Sequence, residues 1–120
     1  MSTEDLKNRY KHFAIQVALL IKDLPKNSIN IPYCNQLIHC SSSPGANYRA
    51  ACRAKSSPDF INKLKIVEEE LDESLYFLEL LLYFNPEFRT IINTLDKEGN
   101  ELLAITVSSL KTSKENQNRK

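Results

Sequence analysis

The sequence has little of the glycine that tight turns require. Only two glycines occur among its 120 residues, and the prolines lie at segment edges or within the stretch 40–60. Chains built from β-hairpins use glycine, asparagine and proline in turns at short intervals. This scarcity argues against an all-β fold and favours helices.

Cysteine is also scarce and irregularly spaced. Cys34, Cys40 and Cys52 are odd in number and form no Cys-x-x-Cys pair. Such a set is not typical of a disulfide framework or of a zinc site. We expect reduced, buried or inert thiols in a cytoplasmic protein, because free cysteine usually packs as a small hydrophobic residue.

Long apolar runs and an excess of charge are both missing. The longest apolar stretches, at 17–21 and 78–84, are far shorter than the roughly 20 residues that cross a bilayer, and the charged N-terminus does not resemble a signal peptide. Sixteen Lys and Arg residues against fifteen Asp and Glu give a net charge of +1. We therefore expect no membrane partner, and nucleic-acid binding would require local clusters of basic residues.

Apolar residues that recur every three or four positions predict amphipathic helices. We predict helices at about 3–24, 32–56, 58–84 and 86–114, followed by a frayed tail at 115–120, all within one domain spanning 1–120. Thr3 is expected to cap the first helix. Ser57 is expected to cap the third, with Pro58 at its first position.

The segment LDKEGNELL (95–103) resembles a turn, yet the helical spacing continues through it. Apolar positions at Phe88, Ile92 and Leu95 lead to Gly99 and then to Leu102 on the same stripe. Glycine costs about 1 kcal/mol relative to alanine inside a helix. Close approach of a neighbouring helix can offset that cost, so we predict one continuous helix.

The third predicted helix ends in LYFLELLLYF (75–84), which is apolar on more than one face. A helix that is apolar all round is normally buried by more neighbours than a chain of this size supplies. This excess indicates oligomerisation.

The dipeptide Pro44-Gly45 interrupts an otherwise helical pattern in the second segment. Proline inside a helix removes a hydrogen bond and costs roughly 3 kcal/mol. Ser43 followed by Pro44 is equally suited to cap a new helix. The local pattern therefore leaves open a kinked helix or two helices that meet at a corner.

Residues 41–81 resemble the signature of the four-helix-bundle family that includes proteins encoded in 23S ribosomal RNA intervening sequences of bacteria. The likeness is clearest at Gly45, Asn47, Tyr48, Arg49, Glu70, Glu73 and Tyr76. The segment ELLAITVSSLKTSK (101–114) resembles the closing helix of that family. The likeness therefore extends over nearly the whole chain.

The resemblance implies an all-α, antiparallel up-and-down four-helix bundle assembled into a homopentameric ring. It implies that the second helix is continuous and kinked near Pro44-Gly45. It also implies kinship with the accessory protein of diversity-generating retroelements, which works beside a reverse transcriptase and binds nucleic acid. Gly45, Asn47, Tyr48, Glu70 and Glu73 are then residues of a structural signature.

Catalytic and metal chemistry finds little support in the pattern. Four acidic residues lie close together at 69–73, but di-metal bundles pair such acids with Glu-x-x-His motifs. Neither His12 nor His39 has an acidic residue three positions before it. His39 and Cys40 are adjacent and so point about 100° apart on a helix. We expect no catalytic residue, no metal and no cofactor.

Two groups of basic residues are candidates for nucleic-acid contact. They are Arg49, Arg53, Lys55, Lys111 and Lys114. Repeated around a ring, they would form a basic belt that neutralises phosphates. Alternatively, the second helix, which lacks acids, pairs with the acids of the third. Exposed aromatic residues for base stacking are not expected, because Tyr10, Tyr48, Tyr76 and Tyr83 fall on or near apolar stripes.

The sequence thus predicts a non-enzymatic, oligomeric scaffold or interaction module in the bacterial cytoplasm. Its first partner is a second copy of itself, with RNA, DNA or another protein as further partners. The alternative hypothesis is a nucleic-acid-binding accessory factor that uses the basic belt.

Overall fold

The computed structural model describes residues 1–119 and consists of four long helices. Helix α1 spans Thr3–Asp23, α2 spans Asn30–Cys52, α3 spans Ser57–Phe84 and α4 spans Arg89–Asn118, with a 3₁₀ turn at Pro86–Phe88 before α4. Each helix packs against its neighbours in the chain, and α4 also packs against α1. The result is an antiparallel four-helix bundle of 52 × 23 × 21 Å, with no strand among the described residues.

Helix α1 begins with a capping box one residue earlier than predicted. The Ser2 hydroxyl accepts a hydrogen bond from the Asp5 backbone N–H at 3.0 Å, and the Asp5 carboxylate accepts one from the Ser2 backbone N–H at 3.1 Å. These bonds lower the pKa of the Asp5 carboxyl. The predicted cap at Thr3 is wrong because Ser2 offers the same chemistry with Asp5 three residues later.

The other helix boundaries also differ from the prediction. Ser56, not Ser57, caps α3 by accepting from the Asp59 N–H at 3.2 Å, so α2 ends at Cys52 and residues 53–56 form the connection. The helix α4 continues to Asn118, so the predicted frayed tail is helical over 115–118. Lys120 lies outside the described residues.

The predicted apolar stripes form the core. Each helix turns one stripe inward, and fully buried members include Phe13, Val17, Leu37, Leu71 and Leu102. A smaller cluster of Ala51, Ile61, Leu64 and Leu110 continues the core near the 53–56 connection. Burying each large aliphatic side chain contributes about 1.5–3 kcal/mol. Within residues 1–119 no helix combines the length and hydrophobicity that a bilayer crossing requires.

Helix α2 continues through Pro44. The alternative in which two helices meet at a corner there is therefore wrong. Proline has no N–H to donate to the carbonyl of Cys40. Side chains make additional hydrogen bonds nearby, since the Ser42 hydroxyl donates to the Ile38 carbonyl at 2.8 Å and the Asn47 amide to the Ser43 carbonyl at 3.0 Å. The segment is therefore rich in local side-chain to backbone bonds.

The two glycines lie where helices approach most closely. A Cβ on Gly45 would lie 3.2 Å from the Cβ of Tyr10 on α1. A Cβ on Gly99 would lie 2.8 Å from Leu75 Cδ2 on α3 and 3.4 Å from two ring atoms of Phe13 on α1. The prediction that α4 continues through Gly99 beside a close neighbour is confirmed.

Two polar contacts join α1 to α4. The hydroxyl of Tyr10 and that of Thr106 lie 2.8 Å apart inside the core, and Thr106 also donates to the Leu102 carbonyl. Nearer the surface, the Arg9 guanidinium donates to both carboxylate oxygens of Glu98. Both buried hydroxyls therefore have partners, which avoids the cost of an unsatisfied polar group.

A buried pair of amides connects the two loops at one end of the bundle. We call this the amide end; it contains residues 24–29 and 85–88. Asn30 and Asn85 each donate to the other's side-chain oxygen at 2.9 Å, and their second N–H groups donate to the carbonyls of Pro25 and Leu81. Asn30 is 1% exposed and Asn85 is 3% exposed. All four amide N–H groups are therefore satisfied away from water.

We predict that Gly45→Ala destabilises the protein more than Gly99→Ala. Each change gains about 1 kcal/mol of helix propensity. At Gly45 the added methyl meets a Cβ fixed to the backbone of α1, and such overpacking costs about 1–3 kcal/mol. At Gly99 it meets the movable end of Leu75. Urea unfolding of both variants measures the difference, and the opposite order would contradict it.

We predict that Asn30 and Asn85 are energetically coupled. Asn85→Ala leaves the Asn30 amide without its partner in a buried site, which costs about 1–3 kcal/mol. In a double-mutant cycle, the variant carrying both Asn30→Ala and Asn85→Ala should be destabilised by less than the sum of the two single changes. Asn35→Ala, at an exposed position on α2, serves as the control. Strict additivity would contradict the coupling.

Candidate functional site

Antiparallel packing places the two predicted basic groups at the same end of the bundle. Arg49 and Arg53 lie at the end of α2, Lys55 follows in the connection, and Lys111 and Lys114 lie near the end of α4. Because successive helices alternate in direction, the last turns of α2 and α4 lie at the same end of the bundle, diagonally across it. We call it the basic end; it also holds the start of α1.

A surface cavity lies at the basic end, between the 53–56 connection and α4. Its volume is about 570 Å³, and its lining includes Lys55 of the connection together with Ser113 and Asn116 of α4. The start of α3 contributes Ser57 and Phe60. The cavity is an open depression, and Lys55 is the one basic residue in its lining among the described residues.

The five candidate contact residues are exposed and make no ion pair in the part of the chain that the structure describes. The ion pairs found there join Lys7 to Glu4 and Arg9 to Glu98 and Glu101. The alternative hypothesis that α2 pairs its basic residues with the acids of α3 within one chain is therefore wrong. The charges of the basic end face solvent.

The signature residues around Gly45 hold α2 against α1. The Asn47 amide donates to both the carbonyl and the hydroxyl of Ser43. The ring of Tyr48 packs on that of Tyr10 with centroids 5.2 Å apart. Burial, followed by the neighbouring Cys52 thiol, raises the pKa of Tyr48 to about 12. Gly45 and Tyr48 therefore pack against Tyr10 of α1, whereas the Asn47 bonds lie within α2 itself.

Glu70 is the acidic residue of α3 that turns toward α2. One of its carboxylate oxygens is buried and has no hydrogen-bond partner among the described residues. Burial and then the nearby charge of Glu73 raise the pKa of Glu70, while His39 on α2 acts in the opposite direction. Glu73 itself is exposed. The two signature acids therefore occupy different environments.

The three cysteines are free thiols in two environments. Cys34 and Cys40 are buried, as expected, and burial raises the pKa of both, that of Cys40 to about 11. Cys52 is exposed, so at that position the expectation of a buried or inert thiol depends on its being inert. Nowhere in residues 1–119 do three or more His, Cys, Asp or Glu side chains form a group that could hold a metal ion.

The prediction that aromatic residues are covered is wrong on α3. Tyr76 is 57% exposed and Tyr83 is 78% exposed. Tyr76 contacts Phe77, and Tyr83 contacts Phe84, with ring centroids 5.7 and 5.0 Å apart. Tyr33 of α2 lies near both phenylalanines and completes a row of five rings. The exposed ends of this row lie beside acidic residues rather than at the basic end.

Two grooves of opposite charge were not predicted from the sequence. The α1–α2 groove, about 330 Å³, has Lys7, Lys11 and Arg49 in its lining around Ile15 and Ala46. The α3–α4 groove, about 570 Å³, is lined by five carboxylates and by Tyr76; the carboxylates belong to Glu69, Asp72, Glu73, Glu79 and Asp96. Each groove takes charged residues from two helices, so the grooves become visible only once the helices are packed together.

Comparison with solved structures gives an informative relative. A crystal structure from Bacteroides thetaiotaomicron VPI-5482 is described as a protein with unknown function from the S23 ribosomal protein family. It matches with a TM-score of 0.81 and 31% sequence identity, over 88% of this chain and 98% of that chain. No family model and no curated protein matches. At this identity over nearly the full length of both chains, the protein belongs to the S23 ribosomal protein family.

Proposed function

We propose that the protein is a non-enzymatic scaffold or interaction module that works as a homo-oligomer in the bacterial cytoplasm. The observation that carries this proposal is the apolar surface left on the single chain. Ile15 and Leu19 on α1 and Tyr76 and Tyr83 on α3 expose between 46% and 78% of their surface. Large exposed apolar side chains in groups mark partner-binding surfaces. The count of five subunits rests on the family resemblance.

The thiol environments support a non-enzymatic role. Burial raises the pKa of Cys34 and Cys40, which keeps both thiols protonated near neutral pH. A protonated, buried thiol is a poor nucleophile. His39, next to Cys40 in the chain, is exposed and points away from it.

The basic end supports a second candidate function, nucleic-acid binding as an accessory factor. Arg49, Arg53, Lys55, Lys111 and Lys114 are exposed and without ion pairs among the described residues. Free surface cations release counterions from phosphates when they bind nucleic acid. In a ring of parallel subunits the basic ends would lie on one rim. The kinship with retroelement accessory proteins points in the same direction.

The proposal includes a bend in α2 at Pro44, as the resemblance implies. The missing N–H of proline and the contact of its ring with the preceding turn both favour bending. Gly45 follows directly and lies against Tyr10. A bend there would set the direction in which Arg49 and Arg53 leave the bundle.

We predict that light scattering of the purified protein gives a mass near that of five copies of the 13.8 kDa chain, about 69 kDa. Self-association removes the exposed apolar side chains from water, which is the main favourable contribution to association. A stable assembly of another size would contradict the pentamer alone. A monomer at every concentration would contradict the scaffold.

We predict that a structured RNA binds the protein with an affinity that falls linearly with salt on a log–log plot. Arg49→Ala combined with Arg53→Ala should make the slope shallower by about 0.7–0.9 for each phosphate that is no longer neutralised. Lys22→Ala combined with Arg89→Ala removes the same charge from the amide end and should change little. Fluorescence anisotropy measures the binding, and its absence at low salt would contradict this candidate function.

A further inference from the structure

We infer that the α1–α2 groove of one copy is the docking site for the outer face of α3 of a second copy. This inference rests on the proposed self-association and names its two surfaces. The groove contributes Lys7, Lys11 and Arg49, whereas the α3 face contributes Glu69 and Glu73. No acidic side chain lines the groove, and no basic side chain lines the α3–α4 groove, within the described residues.

Both surfaces change from charged to apolar in the same direction along the bundle. On α1 the charged residues Lys7 and Lys11 precede Ile15 and Leu19, which are 46% and 47% exposed. On α3 the acids of 69–73 precede the exposed aromatic residues Tyr76 and Tyr83, with one further exposed acid, Glu79, between the two tyrosines. On α2, Ile38 is 40% exposed and lies one helical turn before Ser42, which lines the α1–α2 groove.

The α1–α2 groove and the outer face of α3 also lie at similar positions along the bundle axis. The side-chain ends of Phe13 of α1 and Leu75 of α3 both reach the point where a Gly99 Cβ would lie, so the two residues lie within about a side-chain length of the same level along the bundle axis. The helices α1 and α3 run parallel, and each residue advances about 1.5 Å. Six residues before this level lie Lys7 and Glu69, and two residues before it lie Lys11 and Glu73.

A copy placed alongside the first, in the same orientation and at the same height, therefore brings charges and apolar groups into register. Lys7 meets Glu69, Lys11 meets Glu73, and Ile15 meets Tyr76. Reversing the second copy would instead place the aromatic residues against lysines.

This contact uses two different surfaces of the chain, so every added copy offers a free groove and a free α3 face. Such heterologous contacts generate rings when the rotation closes and filaments when it does not. The acids of α3 repel nucleic acid, so a second copy fits this face better than a phosphate backbone does.

Charge reversal tests the pairing of Lys11 with Glu73. Both side chains are exposed and lie outside the ion pairs of the described chain, so reversal should leave the fold intact. We expect Lys11→Glu and Glu73→Lys each to weaken association about tenfold or more. The variant carrying both changes restores the opposite charges and should return to within about threefold of the original dissociation constant.

The readout is the concentration dependence of mass by analytical ultracentrifugation, with thermal melting as the check on folding. Lys111→Glu, on α4 at the basic end, is the matched control and should not change association. An associating protein whose mass resists both single reversals, or whose double variant is no better than either single variant, would overturn the docking site and leave self-association standing. A monomeric unmodified protein would overturn both.

Discussion

Close contact between helices at two glycines sets the geometry on which the remaining features depend. Gly45 brings α2 against Tyr10 of α1, and Gly99 brings α4 against both Phe13 of α1 and Leu75 of α3. All four helices are thereby held at fixed heights relative to one another. A side chain at Gly45 would push α2 away from α1, whereas at Gly99 it would first displace the end of the Leu75 side chain.

The buried pair of Asn30 and Asn85 fixes the alignment of the helices at the amide end of the bundle. Helical stripes pack nearly as well after a slip of one turn, because apolar residues recur every three or four positions. Asn30 and Asn85 satisfy each other in only one arrangement of the loops, and a slip would leave buried amides without partners. Burial of apolar stripes supplies most of the stability, while this pair and the glycine contacts select one alignment.

Sequence reasoning predicted the features that depend on the local spacing of apolar residues. It missed the features that depend on contacts between residues far apart in the chain. Helices α1, α3 and α4 and the continuity through Gly99 follow from spacing, whereas the continuity of α2 through Pro44 followed only from the family resemblance. The caps were wrong by one residue because adjacent serines and threonines offer the same hydrogen bond. The prediction that Tyr76 is buried was wrong because an apolar stripe identifies the inward face of α3. It does not show how much of α3 the neighbouring helices cover. The Asn30–Asn85 pair joins residues 55 positions apart, and no local pattern connects them.

A net charge of +1 conceals a strong separation of charge along and around the bundle. Basic residues collect at the basic end and in the α1–α2 groove, while acids collect on α3, and few ion pairs within the described chain neutralise them. Arg49 belongs to both basic surfaces, so a copy docked in the groove would engage it and leave Lys55, Lys111 and Lys114 facing solvent. Assembly of this kind would neutralise the acids of α3 and leave a more uniformly basic rim. Self-association and nucleic-acid binding would then reinforce each other, because the first removes the negative charge that opposes the second.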